Sequence, residues 1–210
     1  MNPSVTAASV TPSVGIILAG RASALEKQVR EAYQSLLGSQ FSSGVALAAV
    51  GGFGRAEMFP HSDVDLLILA ASEEHIPPPD ALSVFLRGFW DAGLRPSHSV
   101  HTVEDCIAQN EGNAEFTISL LDRRFLAGDA ALFDEMDRRF REFISRRGAA
   151  IARDLIALTE SRRAKFQNTI FHLEPDLKEA PGALRDLQTV RWIEMLRAGT
   201  SPSEERAALD

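Results

Sequence analysis

Two short groups of residues in this chain could do chemistry together. Gly51-Gly52-Phe53-Gly54-Arg55 follows an apolar run, and Ser62-Asp63-Val64-Asp65 opens the next one. Glycine lets backbone N–H groups come close to phosphate oxygens. Asp63 and Asp65 stand two apart. On a strand, where side chains alternate, both carboxylates share one face and Val64 takes the other. Two ionised carboxylates so placed repel each other, and a bound divalent cation removes that penalty. The combination can hold a nucleoside triphosphate with Mg²⁺. Two ions would orient the triphosphate, activate the attacking oxygen and stabilise the leaving pyrophosphate. Taken singly, each group has a plainer meaning: a tight strand-to-helix turn, and a strand with two polar residues at its mouth.

Residues nearby carry two readings each. Arg55 either forks onto phosphate or pairs with Glu57 or Asp63. Ser62 either hydrogen-bonds phosphate or shapes the turn before Asp63. Lys178 and Arg185 sit with Asp186 in a Pro-Gly loop. They either close over the triphosphate or belong to a loop pinned by an Arg–Asp interaction. Glu57 reads as structural, and Phe166, Phe171 and Trp192 as core rather than a base-stacking platform.

These residues need elements to position them. Leu25, Val29, Tyr33 and Leu36 form one stripe of a helix over Ala22 to Leu37, stopped by Gly38. Val45 to Val50 and Val64 to Ala71 read as strands, the second covered on both faces. A short helix is expected at about Arg55 to Met58. Pro77-Pro78-Pro79 breaks the chain, and Asp80 can cap a helix that ends near Gly93. Ser97 to Val103 reads as a third strand. Everything from Glu104 onward looks helical, with breaks near Gly112, Gly128, Gly148 and Pro175 to Pro181. The fold class is therefore α/β: a disordered tail over residues 1–21, a small mixed-sheet domain with its N-terminal helix over 22–127, and a helical region over 128–210.

The 210 residues suffice for a real core, and 45% hydrophobic with 24% charged is ordinary for a globular protein. A net charge of -7 argues against a general nucleic-acid binder. The segment Arg138 to Lys165 runs the other way, with nine basic and three acidic residues. It could face a polyphosphate, although solvated helix faces account for most such arginines. A lone Cys106 fits a reducing compartment. No apolar run is long enough to span a bilayer, and the start lacks a secretory pattern, so no membrane is implied and a cytoplasmic location is expected.

The pattern Gly-Gly-x10-Asp-x-Asp on strand, turn and strand resembles the DNA polymerase β nucleotidyltransferase superfamily. The longer string from Gly51 to Leu69 is similar to the bacterial PII uridylyltransferase/uridylyl-removing enzymes. Two further segments resemble that family: Gly93 to Thr102 with Glu104-Asp105-Cys106, and Leu173 to Gln188, which matches its Leu-Glu-Pro-Asn-Ile-Lys-x-x-Pro-Gly-Gly-Leu-Arg-Asp signature. The resemblance runs from about residue 22 to 198. It implies UMP transfer from UTP to a tyrosine hydroxyl of the PII signal protein. By it Asp63 and Asp65 are the catalytic residues and the ligands of two Mg²⁺ ions, and Gly51 and Gly52 the phosphate turn. The candidate nucleotide-binding set is completed by Arg55, Ser62, Lys178 and Arg185.

The chain departs from the family pattern at several points. The superfamily usually adds a third carboxylate on a neighbouring strand. Here that strand reads His98-Ser99-Val100-His101-Thr102, with Glu104 and Asp105 just beyond. His98 is a possible polar or basic substitute. His101 stands where the family has arginine, and Ala56 and Ala183 replace family glycines. No His-Asp dipeptide occurs, so uridylyl removal is not expected. The motif equally permits transfer to another protein or a small molecule. A regulatory module that binds nucleotide without turnover is the non-enzymatic alternative.

Overall fold

The computed structural model describes residues 13–108, 114–167, 169, 174 and 176–198. Phe171, Leu173 and Pro175, and the expected tail as far as residue 12, lie outside the described residues. The elements are α1 (Val14–Tyr33), β1 (Val45–Ala49), α2 (Gly51–Gly54), β2 (Val64–Ala70), α3 (Pro79–Asp91), β3 (Pro96–Thr102), α4 (Val103–Ile107), α5 (Ala114–Ser119), β4 (Arg124–Gly128), α6 (Ala130–Lys165) and α7 (Leu184–Ala198).

The sheet order is β3-β2-β1-β4. β1 runs antiparallel to β2 and to β4, and β2 runs parallel to β3. Side-chain alternation divides the core between two layers. Val45, Leu47, Ala49, Val64, Leu66 and Ile68 face α1 and α3, while Ala46, Ala48, Leu67 and Leu69 face the helices that follow β3. β1 and β2 are thus covered on both sides. Each large aliphatic side chain buried there contributes about 1.5–3 kcal/mol. Asp63 and Asp65 fall in the Leu67–Leu69 alternation and are directed at the helical layer.

Several elements differ from expectation. β4 replaces part of the all-helical stretch expected after Glu104; Arg-Phe-Leu-Ala-Gly has weak strand character alone, but it satisfies the otherwise open edge of β1. α1 starts at Val14, so residues 14–21 are helix rather than loose tail; Ser13 caps it by accepting from the Ile16 N–H. The helix after β1 is the glycine run itself, not Arg55 to Met58. Asp80 lies in the first turn of α3, whose cap position is Pro78. Gly148 does not break α6. A Cβ there would come 3.1 Å from the Leu196 carbonyl oxygen, so this glycine lets α7 approach closely.

One buried ion pair joins the layers. Asp122 ends a 3₁₀ turn before β4 and is fully buried. Its carboxylate accepts from Arg55 and from Trp192 Nε1 of α7, the latter at 3.0 Å. Arg55 also donates to Glu57 at 2.8 Å. Burial raises the Asp122 carboxyl against the pull of Arg55 and Trp192. Desolvation also works against the charge on Arg55, yet Asp122 and Glu57 outweigh it and hold the guanidinium up. Two donors converging on Oδ2 fit the ionised pair. The packing is tight: a Cβ on Gly54 would lie 1.8 Å from the Asp122 carbonyl oxygen. Arg124 closes α2 from behind, donating to the carbonyls of Phe53 (3.0 Å) and Gly54 (3.1 Å).

Removing one partner of a buried pair leaves the other charge stranded, at about 3–5 kcal/mol. Asp122→Ala should lower unfolding free energy by about that much in chemical denaturation, and a midpoint matching the parent would refute the pair's joining role. Ala56 sits at φ 56, a left-handed conformation that costs a non-glycine residue about 1–2 kcal/mol. Ala56→Gly should therefore raise stability by about 0.5–1 kcal/mol once its greater unfolded-state entropy is deducted. A loss of stability in thermal unfolding would contradict that strain.

Candidate active site

The glycine turn begins where β1 ends. Val50 is extended and its N–H donates to the Asp65 carbonyl at 3.1 Å. The chain then reverses through Gly51 at φ 57. The amides of Gly54, Arg55, Ala56 and Glu57 are taken by carbonyls of the same turn, at 2.9–3.1 Å. No such backbone bond engages the amides of Gly51, Gly52 and Phe53 among the described residues. These are the donors at the head of the turn.

The three glycines differ in what requires them. Gly54 is demanded by the Asp122 backbone. A Cβ on Gly51 would stand 3.0 Å from Asp65 Oδ2, on a backbone that already disfavours a side chain. Gly51 therefore brings the turn directly against the second carboxylate. At Gly52 a Cβ would meet only ordinary contacts, 3.5 Å to the Glu57 carbonyl and 3.9 Å to Arg55. The fold itself does not need a glycine there.

Asp63, Asp65, Gly51 and Gly52 line one cleft of about 1200 Å³, whose other wall comes from α6, α7 and the loop before α7. The two acids are close enough to act on each other. Burial and then the charge of Asp63 raise the Asp65 carboxyl, partly offset by Lys178, the Ser97 hydroxyl and Arg55. A positive charge there would relieve the crowding, so the two carboxylates could hold a divalent cation if its other ligands came from outside the protein. Among the described residues no group of three or more His, Cys, Asp or Glu side chains could hold a metal.

The remaining sequence candidates divide. Lys178 lies within electrostatic reach of Asp65, on the cleft wall. Arg55 lines the cleft but spends its guanidinium on Asp122 and Glu57, so the alternative pairing with Asp63 is not adopted. Ser62 accepts from the Phe59 N–H at 3.1 Å and returns its own N–H to the Phe59 carbonyl, which makes it the clasp of the turn before Asp63. Arg185 bonds Glu179 at 3.0 Å and Gln188 at 2.9 Å, and its guanidinium lies 5.6 Å from the Trp192 ring centroid. The Pro-Gly loop is pinned by Asp186, which takes Arg162 and Arg163 of α6 and the Gly182 N–H. Against desolvation, those donors hold the Asp186 carboxyl down at about 2. Trp192 is core.

The neighbouring strand supplies no third acid. Parallel register puts Ser97 beside Asp65, and Thr102 beside Ala70. Glu104 and Asp105 thus follow the far end of β3, at least ~16 Å along the strand at about 3.3 Å per residue. Each is committed there: Glu104 pairs with Arg139 at 2.7 Å, and Asp105 forms a capping box with Thr102. His98 is exposed at the cleft. His101, at the family's arginine position, packs on Phe116 with ring centroids 4.0 Å apart. Ala183 is free of positive φ. Sequence reasoning missed Asp122, Ser97 and Arg95. Asp122 lay in a run read as helix. For Ser97 and Arg95 the signal was available in the alignment of strand starts, where β3 opens beside the Asp63–Asp65 turn.

Comparison with known proteins bears on this site. The family model described as GlnD PII-uridylyltransferase matches residues 150–209. A bifunctional uridylyltransferase/uridylyl-removing enzyme of Burkholderia mallei is 43% identical over 149 residues, which is 71% of this chain and 17% of the relative. Enzymes of the same name from Bordetella parapertussis and Cupriavidus metallidurans are each 41% identical, over 151 and 165 residues, covering 72% and 78% of this chain. They represent 17% and 19% of those relatives, so the chain spans under a fifth of their length. With 43% identity across 71% of its residues and the glycine turn and paired aspartates in one cleft, this chain is a member of the uridylyltransferase/uridylyl-removing enzyme family, related to one stretch of those longer proteins.

Proposed function

We propose that this chain carries the nucleotidyl-transfer chemistry of its family: UMP passes from UTP to a tyrosine hydroxyl of a PII-type signal protein. The observation that carries the reading is the nearness of Gly51 to the Asp65 carboxylate, where an added Cβ would stand 3.0 Å from Oδ2, in the cleft that both line. Asp63 and Asp65 would hold Mg²⁺, which neutralises the triphosphate and the leaving pyrophosphate when bound. The Gly51–Phe53 amides would take phosphate oxygens, and Gly52 keeps the approach open. Lys178 adds a mobile positive charge from the opposite wall. Arg55 acts behind the turn, holding it on Asp122. Preference for uracil and for PII rests on the family relationship alone, and a cytoplasmic setting is its natural corollary.

A second reading, nucleotide binding without turnover, is favoured by one observation: no acid stands on β3 beside the pair. Incubation with labelled UTP, Mg²⁺ and PII separates the two. Labelled PII supports transfer; saturable UTP binding with no label supports the second reading.

Asp65→Asn should abolish most transfer, by about a hundredfold or more, while leaving stability equal or higher. The sign follows from the raised carboxyl: a charge that folding disfavours at neutral pH costs stability, and the amide removes that cost. Near-normal turnover in this variant and in Asp63→Asn would refute the metal assignment. Gly52→Ala should fold with near-parental stability, because a Cβ there meets only ordinary contacts, yet weaken UTP binding several-fold by narrowing the approach to the backbone. Unchanged UTP affinity by calorimetry would remove the turn from the site.

A further inference from the structure

The face that carries Asp63 and Asp65 continues onto the next strand with a cation. β3 enters beside this pair, with Val64 opposite Pro96 and Asp65 opposite Ser97. The Val64 N–H donates to the Arg95 carbonyl at 2.9 Å, which fixes the Arg95 backbone next to Asp63. The Arg95 side chain then reaches two acceptors. Its Nε lies 3.1 Å from Asp63 Oδ1, and its terminal nitrogen donates to the His61 carbonyl. The guanidinium thus bridges both sides of the Phe59–Asp63 turn. Both partners remain more than half exposed, 57% for Arg95 and 56% for Asp63, so small ions reach them freely.

We propose that Arg95 is a resident competitor of the divalent cation at Asp63, so that this site takes metal weakly by itself and much more tightly together with a polyphosphate. This rests on the metal reading above. An incoming cation would have to share the Asp63 carboxylate with Arg95, which already holds its Oδ1. A unit positive charge about 6 Å from a divalent ion weakens its binding roughly tenfold even with the dielectric of water. An exposed Arg–Asp pair adds at most a few-fold more. A nucleoside polyphosphate reverses the balance, because it offers the ion further oxygens and offers the guanidinium another anion.

The test is Mn²⁺ binding, followed by electron paramagnetic resonance and calorimetry, with and without UTP. Parent protein should bind Mn²⁺ weakly alone and much more tightly with UTP. Arg95→Ala should tighten Mn²⁺ binding about tenfold without nucleotide, and the gain should vanish in an Asp63→Asn background. Arg95→Lys should stay near parent, since it keeps the charge. Equal Mn²⁺ affinity in parent and Arg95→Ala, or an equal gain in Arg95→Lys, overturns the competitor role and leaves the metal reading standing. Absence of Mn²⁺ binding with UTP in every protein overturns the metal reading itself.

Discussion

The Arg55–Asp122 pair is the contact through which this structure holds together as a potential site. Asp122 is fully buried between β1, the glycine turn and α7, and its carboxylate is met from one side by Arg55 and from another by Trp192. A charge in that position is tolerable only while its partners stay in place. The pair therefore locks three things at once: where the glycine turn points, how closely α7 approaches the sheet, and where the chain enters β4. Gly54 and Gly148 are the small residues that permit these approaches, one against the Asp122 carbonyl and one against the Leu196 carbonyl.

On that frame the acid pair is positioned by alternation along β2. Leu66 and Ile68 turn to α1 and α3, Leu67 and Leu69 to the helices that follow β3, and Asp65 follows the second set to the edge of the helical layer. The cleft is thus a gap where the sheet face runs past its helical cover. Gly51 is shaped by the nearness of Asp65, whereas Gly52 answers to nothing in the fold. The contrast between adjacent glycines separates one that the fold requires from one that it does not. The cations are likewise sorted by geometry. Arg55 and Arg185 are spent on internal partners, Lys178 leans toward Asp65 from the far wall, and Arg95 holds Asp63 at the rim.

Much of this was legible from residue order. The β1 and β2 runs, the stripe Leu25, Val29 and Tyr33 of α1, the proline-broken start of α3 and the glycine–aspartate spacing all state their local structure directly, because each is a short-range pattern with strong physical preference. What was misread depended on distant partners. Arg124 to Gly128 becomes a strand because β1 offers it an edge. Gly148 stays helical because α7 passes over it. Ala56 adopts a left-handed conformation that nothing in its own chemistry favours.

The sequence by itself determined the chemistry on offer: two carboxylates on one strand face, a glycine turn ahead of them, and family motifs in matching order. These are local facts, set by side-chain type and by the two-residue repeat of a strand. Only the tertiary structure decided which charges remain available to a ligand. Arg55 reaches across 67 residues to Asp122, Arg95 reaches back 32 residues to Asp63, and Glu104 and Asp105 are carried to the far end of β3 by its parallel register. Electrostatic partnership falls off with distance in space rather than in sequence, and folding alone sets that distance.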